Sequence, residues 1–305
     1  MAHHHDHHHH HHGPIALTNV NTAFIVGIAL NFLFVIIEVA VGLYVHSLSL
    51  LSDAGHNLAD VGTLALSLLA FRLVKVKPTD EYTYGYRKTS VIVALFNGMM
   101  LMVSIGAIIY EAVHRFFNPE PLPGGIIALV AGAGIIINSV TALLFFRDKD
   151  KDMNIKSAYL HLLSDALVSL ALVIGGIIII YTGWFWVDSA LSILVAVVIF
   201  FSTWGLLRDS FRLSLDAVPA DIKMENIKNA ATKVAGVKSL HHIHIWAIST
   251  TENALTAHLV LEKETTIERE RLIKNELRHE LQHQNIHHIT LETERDGEAC
   301  KNAEC

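Results

Sequence analysis

Six long apolar stretches constrain this chain more than any other feature of its sequence. They lie near residues 22–44, 48–73, 90–113, 124–146, 157–182 and 184–207. Each is long enough to cross a bilayer as a helix, which needs about 20 residues. Backbone groups inside a bilayer must be hydrogen-bonded within the protein, so we expect these stretches to be helical. The sequence therefore predicts an all-α transmembrane domain of six helices.

Charged residues are scarce in the first two thirds of the chain and ordinary in the last third. Over the whole sequence 52% of residues are hydrophobic and 17% are charged, whereas soluble domains usually carry about 25% charged residues. This split indicates one membrane domain followed by one small soluble domain. The expected divisions are a His-rich N-terminal tail at 1–21, a six-span membrane domain at 22–208, a C-terminal domain at 209–295 and a Cys-containing tail at 296–305.

The loops on one side of the expected bundle are rich in lysine and arginine. The loops after the second and fourth spans carry Arg72, Lys75, Lys77, Arg87 and Lys88, then Arg147, Lys149, Lys151 and Lys156. Such loops face the cytoplasm under the positive-inside rule. We therefore expect a multi-pass membrane protein with both termini in the cytoplasm, located in the inner membrane if the source is a bacterium.

The C-terminal region predicts a compact α+β domain with the order α-β-β-α-β. Asp221 is expected to cap a short first helix. Strands are expected at 237–248, 254–262 and 286–294. A second helix is expected between the last two strands, because Ile273, Leu277 and Leu281 recur at the spacing of one helical face.

Two His-x-x-x-Asp pairs lie inside apolar stretches. His56 and Asp60 belong to the second stretch, and His161 and Asp165 belong to the fifth. Four residues advance a helix by about 6 Å and slightly more than one turn, so both members of a pair share one face. An aspartate near the middle of a membrane costs about 2.5–3.5 kcal/mol on insertion scales, so it needs a partner or a function.

Facing each other, the two pairs would present two imidazole nitrogens and two carboxylates, a tetrahedral set suited to Zn²⁺. The lack of thiolates disfavours Cu(I), and the lack of a six-oxygen cage disfavours Mg²⁺ and Ca²⁺. A single pair would be interpreted as a hydrogen bond that fixes helix packing, but its repetition in two spans favours a metal site. Histidine must be neutral to bind metal, so protons would compete with zinc. The hypothesis is a zinc/proton antiporter.

Histidines are also concentrated on the expected strands of the C-terminal domain. The candidate ligands are His241, His242 and His244 on the first strand, His258 on the second, and His287, His288 and Glu294 on the last. Strand alternation puts His287 and Glu294 on opposite faces, so a single site with both is disfavoured and two sites stay open. Solvent-facing histidines without a ligand role are the alternative.

Both ends of the chain carry further metal-binding residue types. The N-terminal segment includes the run His7–His12, which fits either an expression tag or a native metal-capturing tail. Cys300 and Cys305 are the two cysteines, too few for a disulfide framework, and they fit a reducing compartment and additional thiolate ligands. No basic stripe indicates nucleic acid as a partner.

Four segments together resemble the cation diffusion facilitators, in their bacterial zinc/cadmium/cobalt efflux branch related to the zinc transporters. They are SLSLLSDAGHNLAD from Ser47 to Asp60, HLLSD from His161 to Asp165, YGYR from Tyr84 to Arg87, and HHIHIW from His241 to Trp246. The resemblance extends from about Thr22 to Glu294. It implies a six-span domain, a metallochaperone-like cytoplasmic domain, a homodimer in the lipid bilayer, and Zn²⁺ efflux in exchange for protons.

The resemblance also implies metal ligands and their ions. The pattern of His56 with Asp60 and His161 with Asp165 goes with zinc preference in the family, and Cd²⁺ or Co²⁺ are the alternative substrates. In the cytoplasmic domain it implies a zinc-binding set of His241, His258 and Glu294. His244, His287 and the tail cysteines Cys300 and Cys305 are implied near a second position, although the spacing between these cysteines is longer than in some relatives. No organic cofactor is expected.

Three other functions stay open from the sequence. A channel would need a pore with weak or multiple sites rather than one tight cage. A membrane metalloenzyme would need an open coordination position and a general base, as in His-Glu-x-x-His, which none of the six apolar stretches contains, so no enzymatic activity is expected. A metal sensor based on the soluble domain alone would leave the ionisable residues of the membrane spans unexplained.

Overall fold

The computed structural model describes residues 20–44, 48–118, 125–184 and 186–297. Within these residues the first part forms α1 (Val20–Tyr44), α2 (Leu48–Leu73), α3 (Thr89–Phe117), α4 (Gly125–Phe146), α5 (Met153–Thr182) and α6 (Trp186–Ser214). The second part forms α7 (Met224–Lys233), β1 (Val237–Ala247), β2 (Asn253–Leu261), α8 (Ile267–His283) and β3 (His288–Arg295). This order confirms the predicted fold class, a helical membrane domain followed by an α-β-β-α-β domain.

Helix α1 illustrates why the first part of the chain suits a bilayer. Its buried side includes the polar residues Asn31 and Glu38, whereas the apolar Leu33 and Ile36 are about half-exposed. A surface helix of a soluble protein shows the reverse pattern, with its apolar face buried. In a membrane, polar side chains face the interior of the bundle and lipid covers the apolar ones.

Length and hydropathy alone identify four of the helices as able to cross a membrane, as far as the described residues go. They are α1, α3, the part Met153–Gly175 of α5 and the part Ser189–Ser214 of α6. The described apolar part of α4, Gly132–Phe146, is shorter. Helix α2 is less apolar because it carries His56, Asn57 and Asp60.

Helix α5 contacts four other helices, α2, α3, α4 and α6, while α1 packs against α2 and α4. Small residues allow the closest of the described approaches. A Cβ atom on Gly27 would lie 2.9 Å from Thr141 Cγ2, so α1 and α4 could not pack this closely with a larger residue there. The bundle therefore brings α2 and α5, which carry the two His-x-x-x-Asp pairs, next to each other.

The C-terminal sheet has the strand order β1-β2-β3, with β1 antiparallel and β3 parallel to β2. One face packs on α7 and α8 through a core that includes Ile227, Leu255, Leu259, Ile273 and Leu277. The register pairs His241 with His258, and it shifts between His241 and His244. The opposite face of the sheet carries His241, His258 and Glu294, one from each strand.

Some details differ from the sequence predictions. Helix α6 continues to Ser214, and Lys223 rather than Asp221 is the N-cap of α7. Asp221 instead accepts a hydrogen bond of 2.6 Å from Asn285 Nδ2.

Other predictions lie partly or wholly outside the described residues. They concern most of the His-rich tail at 1–21 and the tail at 296–305 with Cys300 and Cys305. The division of the chain at 22–208 and 209–295 stays a prediction.

Candidate metal transport site

Four side chains from α2 and α5 converge inside the helix bundle. His161 Nε2 lies 2.5 Å from Asp60 Oδ1 and 4.0 Å from Asp165 Oδ2. His56 Nε2 lies 3.9 Å from Asp60 Oδ2. One ligand atom each from His56, Asp60 and Asp165 lie within 4.8 Å of one another. Helical spacing puts each pair on one face, and the contact between α2 and α5 brings the two faces together.

This cluster is enclosed on one side and open on the other. The side chains of Asp60 and His161 are each 5% exposed and that of Asp165 is 14% exposed, whereas that of His56 is 42% exposed. Asp60 Oδ2 is buried and makes no hydrogen bond to any described residue. A buried carboxylate oxygen in this position is strongly destabilising unless a cation or a proton compensates its charge. The cluster is therefore built to hold a positive charge.

Helix α2 is held in place beside this cluster by a buried polar contact with α1. Asn57 Nδ2 donates a hydrogen bond of 2.8 Å to Glu38 Oε2, and Glu38 is fully buried. The contact follows His56 directly in the chain. Glu38 therefore contributes to the packing of α1 against α2, and the contact orients the helix that carries His56 and Asp60.

The first turn of α5 is tied to the C-terminal domain through Asp152. Asp152 Oδ1 accepts hydrogen bonds from the backbone N–H groups of Asn154 (2.7 Å) and Ile155 (3.2 Å), which makes Asp152 the N-cap of α5. Its other oxygen accepts a hydrogen bond from Thr250 Oγ1, in the turn between β1 and β2. The same turn is anchored to α3, since Thr250 N donates to Ser90 Oγ at 3.1 Å.

A second cluster lies on the open face of the C-terminal sheet. Glu294 Oε1 lies 2.6 Å from His258 Nδ1, and Glu294 Oε2 lies 3.3 Å from His241 Nε2. His242 joins them, because one ring nitrogen each from His241, His242 and His258 lie within 4.8 Å of one another. All four side chains are partly buried. Their imidazoles and carboxylate are the ligand types that zinc prefers.

The other candidate residues of this domain lie elsewhere. His287 Nδ1 accepts a hydrogen bond of 3.3 Å from Asn253 N, at the end of β2 remote from His258. His244 is exposed and borders a surface cavity of about 390 Å³ that Asp216 and Trp246 also line. Neither residue reaches the cluster of His241, His242, His258 and Glu294. Cys300 and Cys305 lie outside the described residues.

Comparison with known protein families covers nearly the whole chain. Residues 24–213 match the cation efflux transmembrane domain, and residues 219–296 match the cytoplasmic domain of cation efflux proteins. The chain belongs to the cation efflux family. It is accordingly a multi-pass membrane transporter, and the resemblance inferred from its motifs is confirmed.

Individual members of the family are similar along most of their length. The chain is 34% identical over 272 residues to the cadmium, cobalt and zinc/H(+)-K(+) antiporter of Bacillus subtilis, covering 88% of each protein. It is 34% identical to the metal cation efflux system protein CzcD of Cupriavidus metallidurans, covering 88% of this chain and 85% of that protein. It is 32% identical to the zinc transporter ZitB of Yersinia pestis, covering 88% of this chain and 86% of that protein.

One residue, Asp152, was missed by sequence reasoning as a site residue. Asp152 carried a signal that could have found it, since an aspartate directly before a helix is a common N-cap. His242 was a candidate ligand on the first expected strand, but the set implied by the family resemblance did not include it. Leu240, Ile243 and Ile245 all pack towards the core of the sheet, although the first two are an odd number of residues apart. Such spacing indicates an extra residue in the strand, that is, a β-bulge.

Proposed function

We propose that this transporter exports Zn²⁺ from the cytoplasm in exchange for protons, with His56, Asp60, His161 and Asp165 as the four ligands of the transported ion. The observation that carries the proposal is the convergence of two His-x-x-x-Asp pairs around the buried oxygen of Asp60 that makes no hydrogen bond to a described residue. Two nitrogens and two carboxylates suit tetrahedral zinc. Cd²⁺ and Co²⁺ are the alternative substrates, since relatives are named for all three metals.

The distances within the cluster support a four-ligand site. Tetrahedral bonds of about 2.0–2.1 Å put neighbouring ligand atoms about 3.3 Å apart. The separations of 2.5, 3.9 and 4.0 Å between His161 and Asp60, His56 and Asp60, and His161 and Asp165 bracket this value.

The exchange with protons follows from the chemistry of the same four groups. Imidazole and carboxylate bind zinc only when they are deprotonated, so zinc and protons compete for one set of atoms. A bundle that exposes this site to each side in turn would release zinc where protons are abundant and bind it where they are scarce. The relative from Bacillus subtilis is named an antiporter of these metals with H(+) and K(+).

We further propose the orientation and assembly of the protein. The basic loops after α2 and α4 would face the cytoplasm together with both termini, in the inner membrane of a bacterial cell. The protein would act as a homodimer, as its resemblance to the cation diffusion facilitators implies. The C-terminal domain would bind zinc through His241, His258 and Glu294. A second position with His244, His287, Cys300 and Cys305 stays a prediction.

The experiment that tests the transport proposal is zinc flux in proteoliposomes. An imposed pH gradient should drive zinc uphill, and collapsing the gradient should stop it, with a K⁺ gradient applied separately to identify the counter-ion. Asp60→Ala and Asp165→Ala should each abolish the flux. Asp209→Ala, which removes a carboxylate at the end of α6 outside the cluster, should not. Zinc flux indifferent to the pH gradient, or unchanged in both cluster variants, would contradict the proposal.

A further inference from the structure

His242 has a backbone conformation that few residues other than glycine adopt. Its φ is 47°, in the left-handed region, although it lies inside β1. For a residue with a Cβ atom this region is strained, and such strain is found most often at functional sites. The backbone conformation by itself does not explain a histidine at this position, since glycine and asparagine adopt a left-handed φ more readily.

The strained residue coincides with a bulge in the sheet. Pairing between β1 and β2 is regular from His244 to Ala247, but the register shifts between His241 and His244. In a regular strand, neighbouring side chains point to opposite faces, so His241 and His242 would be separated by the sheet. The bulge adds one residue, and Ile243 packs on the core side while His241 and His242 both lie with His258.

The three imidazoles form a compact triangle. Their ring centroids are 5.1 Å apart for His241 and His242, 5.4 Å for His241 and His258, and 4.8 Å for His242 and His258. Glu294 lies on the same face and reaches both His241 and His258. Three nitrogens and one carboxylate are the number and types of ligand that a tetrahedral zinc ion takes.

We propose that His242 is a ligand of a zinc ion held by His241, His258 and Glu294, and that the bulge in β1 serves to bring its imidazole to this site. The inference rests on the proposed zinc binding by the C-terminal domain and extends it. The site is a three-histidine, one-carboxylate site closed within one domain, without His244 or His287. Because all four positions are filled by protein groups, it is suited to retain zinc rather than to exchange it.

The test distinguishes the effect of the His242 imidazole on zinc binding from the effect of the backbone conformation of His242. Asparagine and glycine tolerate a left-handed φ, so His242→Asn and His242→Gly keep the bulge and remove the ligand. The readout is hydrogen–deuterium exchange of peptides from β1 and β2 in the full-length, detergent-purified protein titrated with Zn²⁺. This readout is local, so zinc bound by the His-rich N-terminal segment does not contribute to it. The matched control is His279→Asn, the same substitution at an exposed histidine of α8.

We expect zinc to slow exchange in β1 and β2 of the unaltered protein. His242→Asn and His242→Gly should each raise the zinc concentration at half-protection by about tenfold or more, since even residues that only orient a ligand change metal affinity 10–100-fold. His279→Asn should leave it within about twofold. An unchanged midpoint in both His242 variants, or an equal shift in the control, would overturn the proposal.

Two further measurements keep this inference separate from the transport proposal. The same titration in the double variant Asp60→Asn, Asp165→Asn should still show protection of β1, because the transport site lies in another domain. Zinc flux driven by a pH gradient, with no zinc-dependent protection of β1, would overturn the His242 site and leave the transport proposal intact. Zinc-dependent protection of β1 that requires His242, in a protein that shows no zinc flux, would support the His242 site and overturn the transport proposal.

Discussion

The two clusters use similar side chains but are built on different backbones. In the membrane, His56, Asp60, His161 and Asp165 lie on regular helices, and their four-residue spacing alone aligns each pair. In the C-terminal domain the histidines lie on strands, where the regular backbone would separate neighbours, and a bulge at His242 brings them together. On a regular helix, the residues that share a metal-binding face can therefore be identified from their spacing in the sequence. On a strand with a bulge, the spacing alone does not identify them.

The two clusters also differ in their completeness and exposure. The transport cluster is open at His56 and carries a buried carboxylate oxygen, Asp60 Oδ2, with no hydrogen-bond partner among the described residues. The cytoplasmic cluster engages both oxygens of Glu294 with histidines. An ion that must be released on each cycle suits the first arrangement, and an ion that is retained suits the second.

The largest expected effect comes from one substitution made in each cluster. His161→Gln should reduce the initial rate of zinc flux in proteoliposomes by about 100-fold or more, because it removes a proposed ligand of the transported ion. His258→Gln should reduce it by no more than about tenfold, because zinc does not cross the membrane through the C-terminal domain. Equal losses from the two substitutions would remove the functional distinction between the clusters.

A second prediction concerns the contact that joins the two domains. Asp152→Ala removes the N-cap of α5 and the hydrogen bond from Thr250, and should lower the stability of the bundle by about 2 kcal/mol. Thr250→Val removes only the second contact and should lower it by about 1 kcal/mol. Thermal unfolding of the detergent-purified protein measures both. The control is Asp150→Ala, an exposed aspartate of the same loop, which should have an effect within about 0.5 kcal/mol.

The smallest expected effect lies in the C-terminal domain and depends on pH. Lys274, through its hydrogen bond, is the main cause that lowers the pKa of Glu270 below its usual value, followed by the hydrogen bond from Thr293. Since the folded-state pKa is the lower one, the stabilisation is fully present above the unfolded-state pKa and is lost as the pH falls through the folded-state pKa.

Glu270→Gln should therefore destabilise the domain by about 1 kcal/mol at neutral pH and have progressively less effect in acid. Unfolding by denaturant, followed by a probe in the C-terminal domain at pH 7 and at pH 4, measures this difference. Glu276→Gln, an exposed glutamate of α8, is the control. A loss of stability from Glu270→Gln that is equally large at both pH values would show that the charge of this carboxylate is not its source.

The membrane site was largely predictable because its determinants are local. The apolar stretches, the repeated His-x-x-x-Asp spacing and the excess of positive charge in two loops all come from residues close together in the chain. The set of candidate ligands His241, His258 and Glu294 in the C-terminal domain came from a family resemblance. His242 was a candidate outside that set, because whether it joins His241 depends on pairing with β2, which lies more than ten residues further along the chain.

The sequence by itself determined that His56 and Asp60 share one helical face and that His161 and Asp165 share another, because helical geometry acts over a single turn. Only the tertiary structure decided that these two faces meet, since this depends on the packing of α5 against α2. It also decided that α5 is capped by Asp152 while Asp152 is bound by Thr250, and that a bulge in β1 turns His242 towards His258. Such contacts join residues that are distant in sequence, and local spacing does not specify them.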